Sequence, residues 1–299
     1  MNIKQIEVEL LMENYNNMIA VANDFSHESF IAIEHAAIIA QKDNSELLII
    51  HVLNKDTKSK LEEARQTPEY VRQILTDQAE KVKKIYGVTC HIAMPEGEIF
   101  TAIGNTTAEY KAKFLVMGTH GIQSLGERLL GSWALRIVDS SPVPVLIVQN
   151  KGAKKEGYKR ILMELTNAEQ CRRLLPHAVI FHQVMGSELV LFEDYEEDPF
   201  IKNEIARNKT FAQQYLEKKG VPYTMAIQSK GSKYYHDMTK YAAANDVDLI
   251  MIVASKDRGF IEMVTEPEQK VIYNKEEIPV LCISAVETTI MGDFMDDNW

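Results

Sequence analysis

Short apolar runs alternate along the chain with longer stretches in which apolar residues recur every three or four positions. MIAVA at 18–22 and LLIIHV at 47–52 are β-branched runs of the kind that fill a strand buried on both faces. Between them, 26–42 places Phe30, Ile31, Ala37, Ile38 and Ala40 among polar residues at helical spacing, with Ser26 available as an N-terminal cap. A charged helix at 68–86, a strand near 88–94 and a helix near 98–111 follow. Strands at 114–117 (FLVM) and 143–148 (VPVLIV) then flank a glycine-bearing loop and a short helix beginning near Gly131. This alternation predicts a parallel sheet with right-handed crossovers and helices on both faces.

The pattern then starts again. Strands are expected at 161–163, 188–192, 223–227, 249–253 and 280–283, answering the first five in order. FLVM at 114–117 answers DLIM at 248–251, and PVLIV at 144–148 answers PVLCI at 279–283, with offsets of 134 and 135. Five strands in one order argue for duplication. The expected organisation is an N-terminal extension at 1–17, a first domain at 18–150, a polar linker (KGAKKEG) at 151–157, a second domain at 158–286 and an acidic tail at 287–299. The extension suits either an arm packed on a partner or a frayed end.

Composition narrows the function. The 299 residues are 45% hydrophobic and 25% charged, the balance of a globular protein with room for two cores. A formal charge of −10 disfavours a broad grip on nucleic acid. It leaves room for a small phosphate ligand, which responds to local backbone dipoles. Cys90, Cys171 and Cys282 lie far apart, lack C-x-x-C spacing and are expected to act as small buried hydrophobes. No apolar run nears the roughly 20 residues that span a bilayer, so no membrane contact and a cytoplasmic location are expected.

The most informative segment is MGTHGIQSLGERLLGSWALRIV at 117–138. Gly118, Gly121 and Gly131 are followed by Ser132 at the expected start of a helix. Phosphate oxygens approach peptide N–H groups closely where no Cβ intrudes, and a chain turning back at a strand end favours glycine at positive φ. A helix start adds free N–H groups and a favourable dipole. The loop also leaves the carboxyl end of a parallel strand, where open α/β sheets bind ligands. His120 and Arg128 offer cationic donors within it. The spacing is neither Walker A nor G-x-G-x-x-G.

It resembles the universal stress protein family, whose ATP-binding members carry G-x2-G-x9-G followed by Ser or Thr. VMGTHG at 116–121, SSPVPVLIV at 140–148, NDFS at 23–26 and IIHV at 49–52 are similar to that family's landmarks. The resemblance implies an adenine nucleotide hydrolase-like, Rossmann-like fold in each half. It implies ATP, with Mg2+, held by Asp24, Val52, Met117, Gly118, Gly121, Gly131 and Ser132. It also implies domains paired as a pseudo-dimer through their last strands, and a possible homodimer. Gly118 suits a structural turn as well, and Asp24 equally suits capping the next helix.

The second half keeps the pattern and loses the motif. IVASKDRGF at 252–260 retains only Gly259, while Thr265, Glu266 and Pro267 fall near the places of Gly131 and Ser132. LTNAEQ replaces NDFS, and EDYEEDP at 193–199 reads as a solvated loop that offers at most a dock for a basic partner. A regulatory ATP-binding protein with one nucleotide per chain, partner unknown, is therefore expected. A slow ATPase or phosphoryl or adenylyl transfer enzyme, and a nucleotide-free interaction module, remain the alternatives. No catalytic residue or protein-held metal stands out.

Overall fold

A computed structural model describes residues 16–119, 130–254 and 267–285, the side chains of 130–133 and 267 excepted. These residues divide into two compact units, 16–153 and 154–285.

The first unit runs β1 (Met18–Ala22), α1 (His27–Asp43), β2 (Glu46–Ile50), α2 (Lys55–Glu63), α3 (Pro68–Tyr86), β3 (Cys90–Ala93), α4 (Ile99–Glu109), β4 (Phe114–Gly118), α5 (Leu130–Ser140) and β5 (Val145–Val148). Its strands lie in the order β3-β2-β1-β4-β5, all parallel. α1 packs against α3, and α4 against α5, which puts one pair on each face as right-handed crossovers require.

Local chemistry sets the helix limits. Ser26 caps α1, its Oγ accepting from the Ser29 N–H at 3.2 Å, and Asn44 ends the helix in the left-handed region at φ 53°. Pro68 opens α3 and Gly87, at φ 72°, closes it. α2 (KDTKSKLEE) escapes the apolar pattern because it buries only Leu61. β1, β2, β4 and β5 bury nearly every side chain while the edge strand β3 buries none, so the core lies along both faces of the inner sheet.

The second unit runs β6 (Arg160–Leu165), a 3-10 segment (Glu169–Leu174), α6 (Leu175–Met185), β7 (Glu188–Glu193), α7 (Pro199–Lys219), β8 (Tyr223–Ile227), α8 (Tyr234–Ala244), β9 (Leu249–Ala254), α9 (Pro267–Ile272) and β10 (Val280–Ser284). Its parallel order is β10-β9-β6-β7-β8. The two sheets therefore share one topology, α/β with an open five-stranded parallel sheet.

Strand register aligns the copies residue by residue. Ile19 sits beside Leu47 and Phe114, as Ile161 sits beside Leu189 and Leu249. Phe114 thus answers Leu249, an offset of 135, and the sequence offset of 134 for this strand is corrected by one residue. Nothing in the second unit answers α2 between β7 and α7.

Candidate functional site

The order β3-β2-β1-β4-β5 places a topological switch at β1: the chain leaves toward β2 on one side and returns to β4 on the other. The crevice at the carboxyl ends of β1 and β4 is where such sheets take ligands. Asp24, Val52, Met117 and Gly118 all lie at this edge, one from each exit of β1 and β2 and two from the end of β4.

The loop from β1 to α1 is held by a polar cluster. Buried Asn23 donates from Nδ2 to Gln78 Oε1 (2.7 Å), and its Oδ1 accepts from the Phe25 N–H (3.0 Å) and the Ser29 hydroxyl (2.9 Å). Phe25 stands at φ 66°, uncommon for a bulky residue, with its ring 4.6 Å from that of His51. Asp24 is exposed, and its Oδ1 accepts from the Ser26 N–H (3.0 Å) and the Ser26 hydroxyl (2.6 Å). Ser26, not Asp24, is the cap of α1. Asp24 orients the cap through Oδ1, and its second oxygen makes no hydrogen bond among the described residues.

Val52 lies two residues beyond β2. Along this strand the polar groups of Leu47, His51 and Leu53 point to β3, through bonds from their N–H groups to Thr89, Ala93 and Pro95. Strand alternation turns those of Ile50 and Val52 toward β1. The Ile50 carbonyl is taken by the Asn23 N–H at 2.8 Å. The Val52 N–H makes no hydrogen bond among the described residues, and its carbonyl meets the Thr57 hydroxyl at 3.5 Å. The crevice thus offers one backbone donor and one lightly used acceptor, side by side.

Gly118 corrects its sequence rationale. It does not have positive φ; it ends β4 against the first turn of α1. A Cβ there would stand 2.6 Å from the Glu28 carbonyl carbon and 2.7 Å from the Glu28 Cβ. Gly118→Ala is expected to destabilise the first unit by about 1–3 kcal/mol, read as a fall in its denaturation midpoint, because backbone has to shift. Met117 is buried at 8% exposure. Gly131 and Ser132 fall within α5 but their side chains lie outside the described residues, as do Gly121, His120 and Arg128 entirely.

The second unit fills the same place. By register, Glu164 stands for Ala22, Asp194 for Val52 and Val253 for Gly118. Glu164 is buried; Oε1 accepts from the Val253 N–H at 2.7 Å and Oε2 from the Tyr235 hydroxyl at 3.2 Å. Burial pushes its carboxyl up to about 8. Asp194, half-buried, is pushed up to about 6 by burial and by Glu196, so EDYEEDP is not wholly solvated; Glu193 ends β7 and pairs with Lys209 at 2.9 Å. The Asp194 N–H, counterpart of the open Val52 N–H, donates to the Leu165 carbonyl at 3.0 Å. A valine at the Gly118 position coincides with 3-10 winding where α1 has its first turns.

Comparison with known proteins follows this division. Residues 16–149 match the model of the universal stress protein family. A universal stress protein of Methanocaldococcus jannaschii is 34% identical over 151 residues, 48% of this chain and 87% of that protein. The chain belongs to the universal stress protein family. A second universal stress protein of that organism is 28% identical over 44% of this chain and 93% of its own length. A universal stress protein crystal structure from Archaeoglobus fulgidus superposes at TM-score 0.72 with 18% identity, over 90% of this chain and 98% of its own, and shares the fold. The matched segment thus coincides with the unit whose Val52 N–H is unpaired among the described residues.

Asn23, His51, Gln78 and Glu164 join these surroundings through the fold and stand outside the glycine motif. A histidine ending LLII and a glutamate ending ILM were visible polar residues at the tips of apolar strands. Among the described residues no group of His, Cys, Asp and Glu can hold a metal, and no helix is long and apolar enough to cross a membrane. Cys171 and Cys282 are buried as expected, whereas Cys90 is half-buried.

Proposed function

We propose that this universal stress protein binds one adenine nucleotide, ATP, in its first unit and serves a regulatory role in the stress response. The observation that carries the reading is the Val52 N–H, unpaired among the described residues, beside the Val52 carbonyl at a switch-point crevice with the Asp24 carboxylate. An adenine edge presents a donor and an acceptor side by side, which matches such a backbone pair. A ribose hydroxyl is a suitable donor to Asp24. The phosphates would reach the glycine segment that contains Gly121, Gly131 and Ser132, and Mg2+ would come with them, since the described residues offer it no ligand set. The second unit acts as structural support.

The test is thermal unfolding of the whole chain with and without millimolar Mg-ATP. Ligand bound to the native state raises the melting temperature of the first unit. Asp24→Asn keeps the Oδ1 acceptor used by Ser26 and removes the charge, and is expected to weaken binding about tenfold with little change in the unliganded protein. No shift with the wild-type chain overturns the reading.

A further inference from the structure

We propose that His51 is a positioning residue that keeps the Val52 N–H open by drawing the Asn23 carbonyl away from it. The inference rests on the nucleotide reading for its purpose, and on geometry alone for its mechanism.

In a parallel ladder the Asn23 carbonyl is the acceptor due to receive the Val52 N–H. The second unit shows that bond made: the counterpart carbonyl, Leu165, accepts from the counterpart N–H, Asp194, at 3.0 Å, and β6 runs one residue further than β1. In the first unit the Asn23 carbonyl accepts from His51 Nδ1 instead, at 2.8 Å. At the His51 position the second unit has Glu193, an acceptor turned to Lys209, which cannot compete for a carbonyl. The closed ladder and the open one thus differ in the side chain at this position, an acceptor in the first case and a donor to the same carbonyl in the second.

The imidazole is poorly explained by stability. It ends an otherwise apolar strand, is 6% exposed, and among the described residues its Nε2 has no hydrogen-bond partner; Gln78 Nε2 in the same cluster is likewise buried without one. Unpaired buried polar atoms destabilise the native state. Burial lowers the His51 pKa, so the ring is neutral and its one N–H is the one given to Asn23. The ring also lies against Phe25, the residue after Asp24. His51 thus fixes the loop that carries the carboxylate and frees the donor beside it, the two features the crevice presents.

The experiment compares His51→Phe, His51→Gln and His51→Asn in the full chain. Phenylalanine keeps a ring against Phe25 but donates nothing, glutamine carries its amide at the ε position, and asparagine places an N–H where Nδ1 stood. Amide hydrogen exchange at Val52 is measured without nucleotide, along with the melting temperature and Mg-ATP affinity. In the Phe and Gln variants, Val52 exchange is expected to slow at least tenfold as the ladder closes. Affinity is expected to fall at least tenfold, without a lower melting temperature in the Phe variant. The Asn variant is expected to restore both. Unchanged Val52 exchange in the Phe and Gln variants overturns the proposal, as does a fall in affinity that merely tracks lost stability. If wild-type protein binds no Mg-ATP, the nucleotide reading fails, while the Val52 exchange still decides the role of His51.

Discussion

Glu164→Gln is expected to stabilise the second unit at pH 8 by a few kcal/mol and to leave it nearly unchanged at pH 4.5. The carboxyl has an ordinary value of 4.5 and is pushed up to about 8 by burial between β6, β9 and α8. Folded protein therefore keeps a proton that unfolded chain releases. Whatever Glu164 contributes is fully present below its unfolded pKa and is lost as pH rises through the folded one. Each tenfold change in proton affinity is worth about 1.4 kcal/mol. Glu268 and Asp194 face it with like charge and Tyr234, Tyr235, Cys171 and Cys282 surround it, none of them a cation. Glutamine is near-isosteric, accepts from the Val253 N–H and carries no charge. Urea denaturation at pH 5 and pH 8 measures the effect: wild type weakens between them, and the variant weakens less. Equal slopes would show that Glu164 is ionised in the folded protein.

Lys113→Ala is expected to cost the first unit about 3–5 kcal/mol. Lys113 Nζ lies 2.7 Å from Asp43 Oδ2 and 2.7 Å from Asn17 Oδ1, with both charged side chains under a tenth exposed. Removing Lys113 leaves the buried Asp43 carboxylate without its cation and with only the Ser45 hydroxyl as donor, which is where the large penalty arises. A denaturation midpoint for the first-unit transition checks it; Lys113→Ala combined with Asp43→Ala should recover part of the loss. A single-variant loss below about 1 kcal/mol would place the pair in solvent.

The second unit performs the same task with opposite charge. Asp248, register partner of Lys113, accepts from the Lys159 and Arg160 N–H groups (2.8 and 3.0 Å) and from Lys154 Nζ. A tether at the entrance of β4 and of β9 has thus been retained while its residues changed sign. This is why duplication was legible in the apolar runs and not in the polar ones. Strand burial constrains side chains such as Leu115 and Ile250 to be apolar, so the pattern persists. A tether needs only a donor or an acceptor, and many residues supply one.

The site was legible to the same unequal degree. Asp24, Val52 and Gly118 stand out in the motif and its neighbours, and the fold brings them to one edge. Their reasons differed from those read in the sequence. Gly118 admits the backbone of Glu28 and needs no left-handed φ, and Asp24 braces Ser26. The value of Val52 depends on an unmade hydrogen bond, which no residue type announces. His51 decides that bond from the neighbouring position, and its role emerges only when Asn23 and Leu165 are set side by side.

One unit is expected to take a nucleotide and the other to exclude it. Equilibrium dialysis of the full chain against labelled Mg-ATP counts the sites directly. Saturation at one nucleotide per chain is expected, weakened by Asp24→Asn and unaffected by Glu164→Gln. Saturation at two per chain, or no binding at millimolar nucleotide, would contradict it.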